Sequence, residues 1–82
     1  DYILDYIKLD DNYAIFEVKI PLEWIGKSIR QVDIRQKYKI NVMAIKKNGH
    51  MNLAISADDI FTSDETLLVI GEYKAIQKCF HI

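Results

Sequence analysis

The dipeptide Asn48-Gly49 is the feature that most constrains how this chain can fold. Both residues tolerate the positive φ angles that a two-residue hairpin turn requires, so the pair is the strongest short-range signal for a β-hairpin. Residues 40–45 before it are apolar except for Asn41 and predict a strand, and Met51 to Ile55 should return as a short partner strand. We therefore expect an antiparallel sheet.

Two further segments predict strands. Residues 13–20 alternate between apolar and polar side chains until Pro21, which cannot donate a hydrogen bond to a neighbouring strand. Residues 66–70 are apolar after Thr66 and end at Gly71, a pattern typical of a buried strand. Together with the hairpin, these segments predict four strands.

Two helices are expected. Ser28 is followed three residues later by Gln31, the spacing of a capping box, in which two side chains satisfy free backbone N–H groups at a helix start. The helix that begins there should present an apolar surface formed by Ile29, Val32, Ile34 and Tyr38. A second amphipathic helix is predicted from Tyr73 onward, with Ile76 and Cys79 in the core.

The predicted element order, β-α-β-β-β-α, describes a small single-domain α+β fold. Both helices should cover one face of a mainly antiparallel four-stranded sheet. A domain of 82 residues buries only about 60% of its unfolded surface, so self-association would add stability.

The first twelve residues allow two interpretations. Their apolar side chains recur at near-helical spacing, and the segment either packs its aromatic residues on the domain or reaches a partner subunit. We therefore predict a lead-in segment or linker at residues 1–12 and the domain itself at residues 13–82.

Composition argues against several classes of function. Half of the residues are hydrophobic, 28% are charged, and no apolar run reaches the roughly 20 residues of a membrane-spanning helix. A net charge of −1 opposes a nucleic-acid-binding surface. Common catalytic and phosphate-loop motifs are missing from the sequence, and the histidines and Cys79 lack metal-ligand spacing. We expect no enzyme, metal site or cofactor.

The single cysteine and the absence of a signal-peptide pattern make the cytoplasm the expected compartment. A chain that starts at Asp1 is expected to be a domain taken from a longer polypeptide.

The basic residues are concentrated in one stretch. Between positions 27 and 39 a single acid, Asp33, is surrounded by five cations: Lys27, Arg30, Arg35, Lys37 and Lys39. In a chain of net charge −1 this local excess fits a small phosphate-bearing ligand better than a nucleic-acid duplex.

Four segments of the chain carry a family resemblance. They are WIGKSI at 24–29, VDIR at 32–35, INV at 40–42 and DETLLVIG at 64–71. In this order and spacing they resemble the C-terminal RCK domain, also called the TrkA C-terminal domain. Members of that family are cytosolic regulatory modules of potassium channels, potassium-uptake systems and cation antiporters, and they pair as twofold homodimers.

The chain looks most like the potassium-uptake gating subunits of Gram-positive bacteria, in which the similar domain binds cyclic di-AMP between two protomers. The resemblance implies a homodimer within a larger ring that contains an N-terminal RCK domain and a membrane potassium transporter. The ring would lie at the inner face of the membrane, and the ligand would control transport, in our expectation by inhibiting it.

The resemblance also implies a ligand site. A ligand with two phosphates and two adenines suits a twofold dimer, which presents every contact twice. Arg35 would bind a phosphate, Asn41 would donate and accept hydrogen bonds, and Asp33 would orient Arg35 or accept a ribose hydroxyl. Five residues would form apolar walls for adenine: Ile29, Val32, Ile34, Ile40 and Val42.

Each polar residue has a simpler interpretation. Arg35 could form a surface ion pair with Asp33 or Glu23, and Asn41 could hydrogen-bond a neighbouring loop. Of the five cations in the basic stretch, the resemblance places only Arg35 at the ligand, and the other four would form a supporting field or face solvent.

The chain departs from the family at two places. Lys39 stands where the family often has glycine, so a left-handed helix end there would cost about 1 kcal/mol more than with glycine. Near Ser56-Ala57 the family tends to carry a proline that this chain lacks. The alternative function is a dimerisation and gating module of a cation transporter or channel, with no nucleotide or with a different small-ligand or cation effector. A more distant alternative is a fragment of an enzyme.

Overall fold

The computed structural model describes residues 2–82, and the sheet that these residues form has five antiparallel strands. The strands are β1 (Ile3–Lys8), β2 (Tyr13–Lys19), β3 (Asn41–Lys47), β4 (His50–Asn52) and β5 (Glu65–Glu72). Their spatial order is β1-β2-β5-β3-β4. The helices are α1 (Ile29–Val32), α2 (Ile34–Tyr38) and α3 (Tyr73–Phe80), and a 3₁₀ helix spans Leu22–Trp24.

The core lies between one face of the sheet and the helices. Phe16, Leu67 and Val69 on the strands are fully buried, as are Ile34 on α2 and Ile76 on α3. Burying a side chain of this size contributes about 1.5–3 kcal/mol, so this face of the sheet holds the helices in place. The α+β class, the antiparallel sheet and the helices on one face are confirmed.

The sheet has five strands where four were expected, because residues 3–8 form an edge strand. A bulge between Ile3 and Asp5 explains the near-helical spacing of this segment. Ile3 pairs with Val18 and Tyr6 pairs with Phe16, so two residues that are three apart face the same side. The ring of Tyr6 then stacks on that of Phe16, with the centroids 5.3 Å apart.

The first predicted helix is in fact two short helices. Asp33 adopts a left-handed conformation, with φ 58° and ψ 45°, and separates α1 from α2. Aspartate tolerates this conformation better than most residues, which explains why the break falls there. The predicted capping box is confirmed: the Gln31 N–H donates to Ser28 Oγ over 3.1 Å, and the Ser28 N–H donates to Gln31 Oε1 over 2.8 Å.

The hairpin between β3 and β4 forms as predicted, with φ of 52° at Asn48 and 76° at Gly49. Strand β4 is shorter than the expected residues 51–55, because the Ala54 N–H donates to Asn52 Oδ1 and the chain turns out of the sheet. None of the helices in residues 2–82 is long and apolar enough to cross a membrane.

Candidate functional site

A cleft of about 340 Å³ opens where α1, α2, the start of β3 and the segment after β4 meet. It is lined by Ile29, Arg30, Asp33, Ile34, Arg35, Ile40, Asn41, Val42, Ile55, Ser56 and Ala57. Most of the lining residues therefore belong to the basic stretch, residues 27–39, or directly follow it.

The floor of the cleft is apolar. Ile34 is 1% exposed and Ile40 is fully buried, so both belong to the core as well as to the cleft. Gly71 on β5 allows Ile40 to sit this deep, because a Cβ atom at Gly71 would lie 3.1 Å from Ile40 Cγ1. Ile29, Val42 and Ile55 are partly buried and continue the apolar surface.

Two residues with a left-handed backbone conformation position the polar side chains at the rim of the cleft. Asp33 precedes α2, and Lys39 follows it with φ 60° and ψ 35°. Together they turn the chain sharply at both ends of a five-residue helix. As a result, Arg35 on α2 and Asn41, the first residue of β3, both border the cleft and are exposed.

The segment after β4 forms one wall of the cleft, and hydrogen bonds connect it to the start of α1. The Arg30 N–H donates to the Ala57 carbonyl over 2.8 Å, and the Ile29 N–H donates to the Asp59 carbonyl over 3.1 Å. Ser28 Oγ accepts a hydrogen bond from the Gln31 N–H, and the Ser28 carbonyl accepts one from the Val32 N–H. All four N–H groups at this helix start therefore have a partner. The start of α1 therefore offers no free backbone N–H to an anion in the cleft.

The charges on the rim are not equivalent. Arg30 Nε donates to Asp58 Oδ1 over 3.1 Å in an exposed ion pair. Within residues 2–82, by contrast, Arg35 has no carboxylate within 4.0 Å, and the side chains of Asn41 and Asp33 make no hydrogen bond. The ion pairs of Arg35 with Asp33 or Glu23 and the loop bond of Asn41 are thus not formed, and the three polar groups remain available to a ligand.

The structure brings together seven of the eight residues predicted to bind a ligand: Ile29, Asp33, Ile34, Arg35, Ile40, Asn41 and Val42. Val32 does not line the cleft and is 7% exposed in the core. The break at Asp33 separates Val32 from Ile34, so the two side chains no longer share one helix surface with Ile29.

Sequence reasoning missed Arg30 and Ile55 as cleft residues. The sequence predicts for Arg30 only a supporting field or exposure to solvent, and no sequence signal connects it with Asp58, 28 positions later. Ile55 was assigned to a strand that ends earlier. The departure from the family at Ser56-Ala57 did point to this side of the cleft.

The groups with shifted pKa values lie outside the cleft. Hydrogen bonds from the Asn12 and Tyr13 N–H groups lower the pKa of Asp10, and one from the Thr62 hydroxyl lowers that of Asp64. Burial raises the pKa of the Cys79 thiol to about 12. In the part of the chain that the structure describes, no group of three His, Cys, Asp or Glu side chains could hold a metal.

The chain is similar in sequence to proteins of known potassium-transport systems. The chain is 33% identical over 76 residues to the Ktr system potassium uptake protein A of Bacillus subtilis (strain 168), which covers 93% of this chain and 34% of that protein. It is 36% identical over 67 residues to the K(+)/H(+) antiporter subunit KhtT of the same organism, covering 80% of this chain and 41% of that protein. The chain thus spans well under half of either relative.

A solved structure of the RCK C domain of the potassium transport protein KtrA, in complex with cyclic diadenosine monophosphate, matches the fold. It has a TM-score of 0.78 and 27% sequence identity, and the match covers 85% of this chain and 84% of that one. The model of the TrkA-C domain family matches residues 13–81. The fold, the relatives and this match lead to one conclusion, that the chain belongs to the TrkA-C domain family.

Proposed function

We propose that this chain is the regulatory domain of a potassium-transport gating subunit and that it binds cyclic di-AMP between two protomers in the cytoplasm. The observation that carries the proposal is the cleft itself. It combines an apolar floor with an unpaired Arg35 and an unpaired Asn41. The similar KtrA domain, solved with cyclic di-AMP, supports the choice of ligand.

The size of the cleft favours a shared site. Its volume of about 340 Å³ lies near the lower end of the roughly 300–1,000 Å³ typical of small-molecule pockets. One cleft therefore suits one adenine nucleotide, which is half of cyclic di-AMP. A second protomer related by a twofold axis would supply the other half with the same residues.

Each part of one nucleotide has a partner in the cleft. The guanidinium of Arg35 would bind a phosphate with charge-assisted hydrogen bonds. The amide of Asn41 can both donate and accept, as the edge of adenine requires, and Asp33 would accept from a ribose hydroxyl. Ile29, Ile34, Ile40, Val42 and Ile55 would enclose the base. Val32 does not line the cleft, so our proposal gives it no contact with the ligand.

The regulatory step would follow from the dimer. A ligand shifts a conformational equilibrium only through its different affinity for the two states. A ligand that bridges two protomers stabilises the arrangement in which their clefts face each other. In the longer parent protein, with its N-terminal RCK domain and membrane transporter, that arrangement would lower potassium transport.

The alternative is a dimerisation and gating module that responds to another small ligand or cation, or to none. The similarity to an antiporter subunit favours it. This module would form the same dimer but would gain nothing from cyclic di-AMP.

Thermal unfolding of the purified chain tests the proposal. Cyclic di-AMP at 100 times its dissociation constant should add about 2.7 kcal/mol to the free energy of unfolding. For a domain of this size that corresponds to a rise in Tm on the order of 10 °C. Adenosine, which lacks the phosphates, should raise the Tm much less.

Two variants sharpen the experiment. Arg35→Ala should lose most of the rise, because a hydrogen bond to a charged group contributes about 1.5–3 kcal/mol. Lys37→Ala on the same helix lies outside the cleft and should keep the rise. A wild-type dimer whose Tm does not respond to cyclic di-AMP would favour the alternative module.

A further inference from the structure

A second hollow adjoins the cleft at Arg35 and Asn41. It has a volume of about 260 Å³ and is lined by Arg35, Gln36, Lys39 and Asn41, all of them polar. Arg35 and Asn41 therefore border both the apolar cleft and this polar hollow. A phosphate bound by Arg35 at this shared border would lie beside the hollow that Lys39 lines.

The backbone at Lys39 is in a costly conformation. In residues 2–82 only four residues other than glycine have positive φ: Asp33, Lys39, Asn48 and His81. Asp and Asn accept this region readily, whereas for lysine it costs roughly 1–2 kcal/mol. Glycine would end α2 at a lower cost, so the helix end alone does not explain a lysine here.

The charge at Lys39 is also unbalanced. Lys46 lies 3.8 Å from Glu17, and Lys47 lies 3.5 Å from Asp64. Neither Lys39 nor Arg35 has a carboxylate within 4.0 Å in the described part of the chain. Two unpaired cations beside one hollow attract an anion and repel each other without one.

We propose that Lys39 is a second phosphate-binding cation, which together with Arg35 holds one phosphodiester of the ligand at the polar hollow. The proposal rests on the proposed function and deepens it, because it assigns the phosphate of the ligand to the polar hollow and the base to the apolar cleft. Lys39 thereby selects a phosphodiester ligand over an uncharged nucleoside. This contact explains why position 39 carries a lysine despite the strain of its left-handed backbone conformation.

Calorimetric titration with cyclic di-AMP tests the role of Lys39. Lys39→Asn removes the charge but keeps a residue that tolerates positive φ, and it should weaken binding about tenfold, the loss expected for one charge-assisted hydrogen bond. Lys39→Arg should retain most of the affinity. Lys37→Gln is the matched control on α2 and should bind like the wild type. The affinity of Lys39→Asn should also fall less steeply with added salt, since one phosphate contact is lost.

Thermal unfolding without ligand separates binding from stability. Lys39→Asn should melt at or above the wild-type temperature, because the strain is relieved. Weaker binding together with an undiminished Tm supports the proposal. Wild-type binding that Lys39→Asn leaves unchanged overturns this inference alone, whereas a wild type that does not bind cyclic di-AMP overturns the proposed function and this inference with it.

Discussion

Arg35 and Asn41 are available to a ligand because of the residues on either side of them. Asp33 and Lys39 both adopt left-handed conformations and limit α2 to Ile34–Tyr38. A continuous helix from Ser28 to Tyr38 would carry Arg35 in a different direction. The short helix instead puts Arg35 on the rim while Ile34, its neighbour, forms the floor.

Cys79 lies outside the cleft and gives the domain a pH-dependent stability. Burial raises the pKa of the folded thiol from 9.0 to about 12. Above pH 9 the unfolded chain releases this proton and the folded chain does not, so the unfolded state binds fewer protons. The contribution of Cys79 is therefore complete below pH 9 and is lost as the pH rises towards 12.

Urea unfolding between pH 7 and 10.5 measures this effect. The free energy of unfolding of the wild type should fall more steeply above pH 9 than that of Cys79→Ala, by at most about 1.4 kcal/mol per pH unit. The rest of the sequence is the same in both proteins, so its own pH dependence cancels in the difference. Parallel curves for the two proteins would show that the thiol is not protected by the fold.

At the scale of residues, the sequence predicted the members of the cleft better than their arrangement. A lone asparagine in an apolar strand and an arginine in a basic stretch were recognisable from residue types alone. Val32 and Ile34 could not be told apart, because their positions depend on a helix break at Asp33 that the pattern does not reveal. The ion pair of Arg30 with Asp58 depends on how two distant segments meet.

At the scale of elements, the start of α1 connects secondary structure to the cleft. The capping box fixes the first turn, and the remaining N–H groups hold the segment after β4 through Ala57 and Asp59. Ser28 also forms an isolated β-bridge with Ile60 and is 7% exposed. The cap therefore supports one wall of the cleft as well as the helix.

Ser28→Ala tests this part of the structure. Loss of the side-chain cap should lower the free energy of unfolding by about 1 kcal/mol, within a usual range of about 0.5–2 kcal/mol. Ser63→Ala, at an exposed position, should stay within about 0.5 kcal/mol of the wild type. Chemical denaturation measures both, and equal stability of the two variants would contradict a structural role for the cap.

The predictable elements are those with local causes. The hairpin at Asn48-Gly49, the alternation in β2 and the amphipathic face of α3 each follow from a few adjacent residues. Bulges have no such local cause, and they obscured the pattern of β1 between Ile3 and Asp5 and that of β3 between Val42 and Ala44. In β3 the bulge places Val42 opposite Val69 and Ala44 opposite Leu68, so a regular alternation of side chains does not continue through it.

At the scale of the whole molecule, the domain presents half of a proposed binding site. Its five-stranded sheet carries the helices on one face, and the cleft lies at the junction of α2 and β3. The apolar floor, the unpaired cations and the limited volume suit one nucleotide of a symmetric pair. The central claim is therefore that two chains share one molecule of cyclic di-AMP.

The stoichiometry of binding tests this claim most directly. Calorimetric titration of the wild-type chain, at concentrations well above the dissociation constant, should reach saturation at one cyclic di-AMP for every two chains. Light scattering of the saturated sample should give the mass of a dimer. Saturation at one ligand per chain, or no heat of binding at all, would contradict the account.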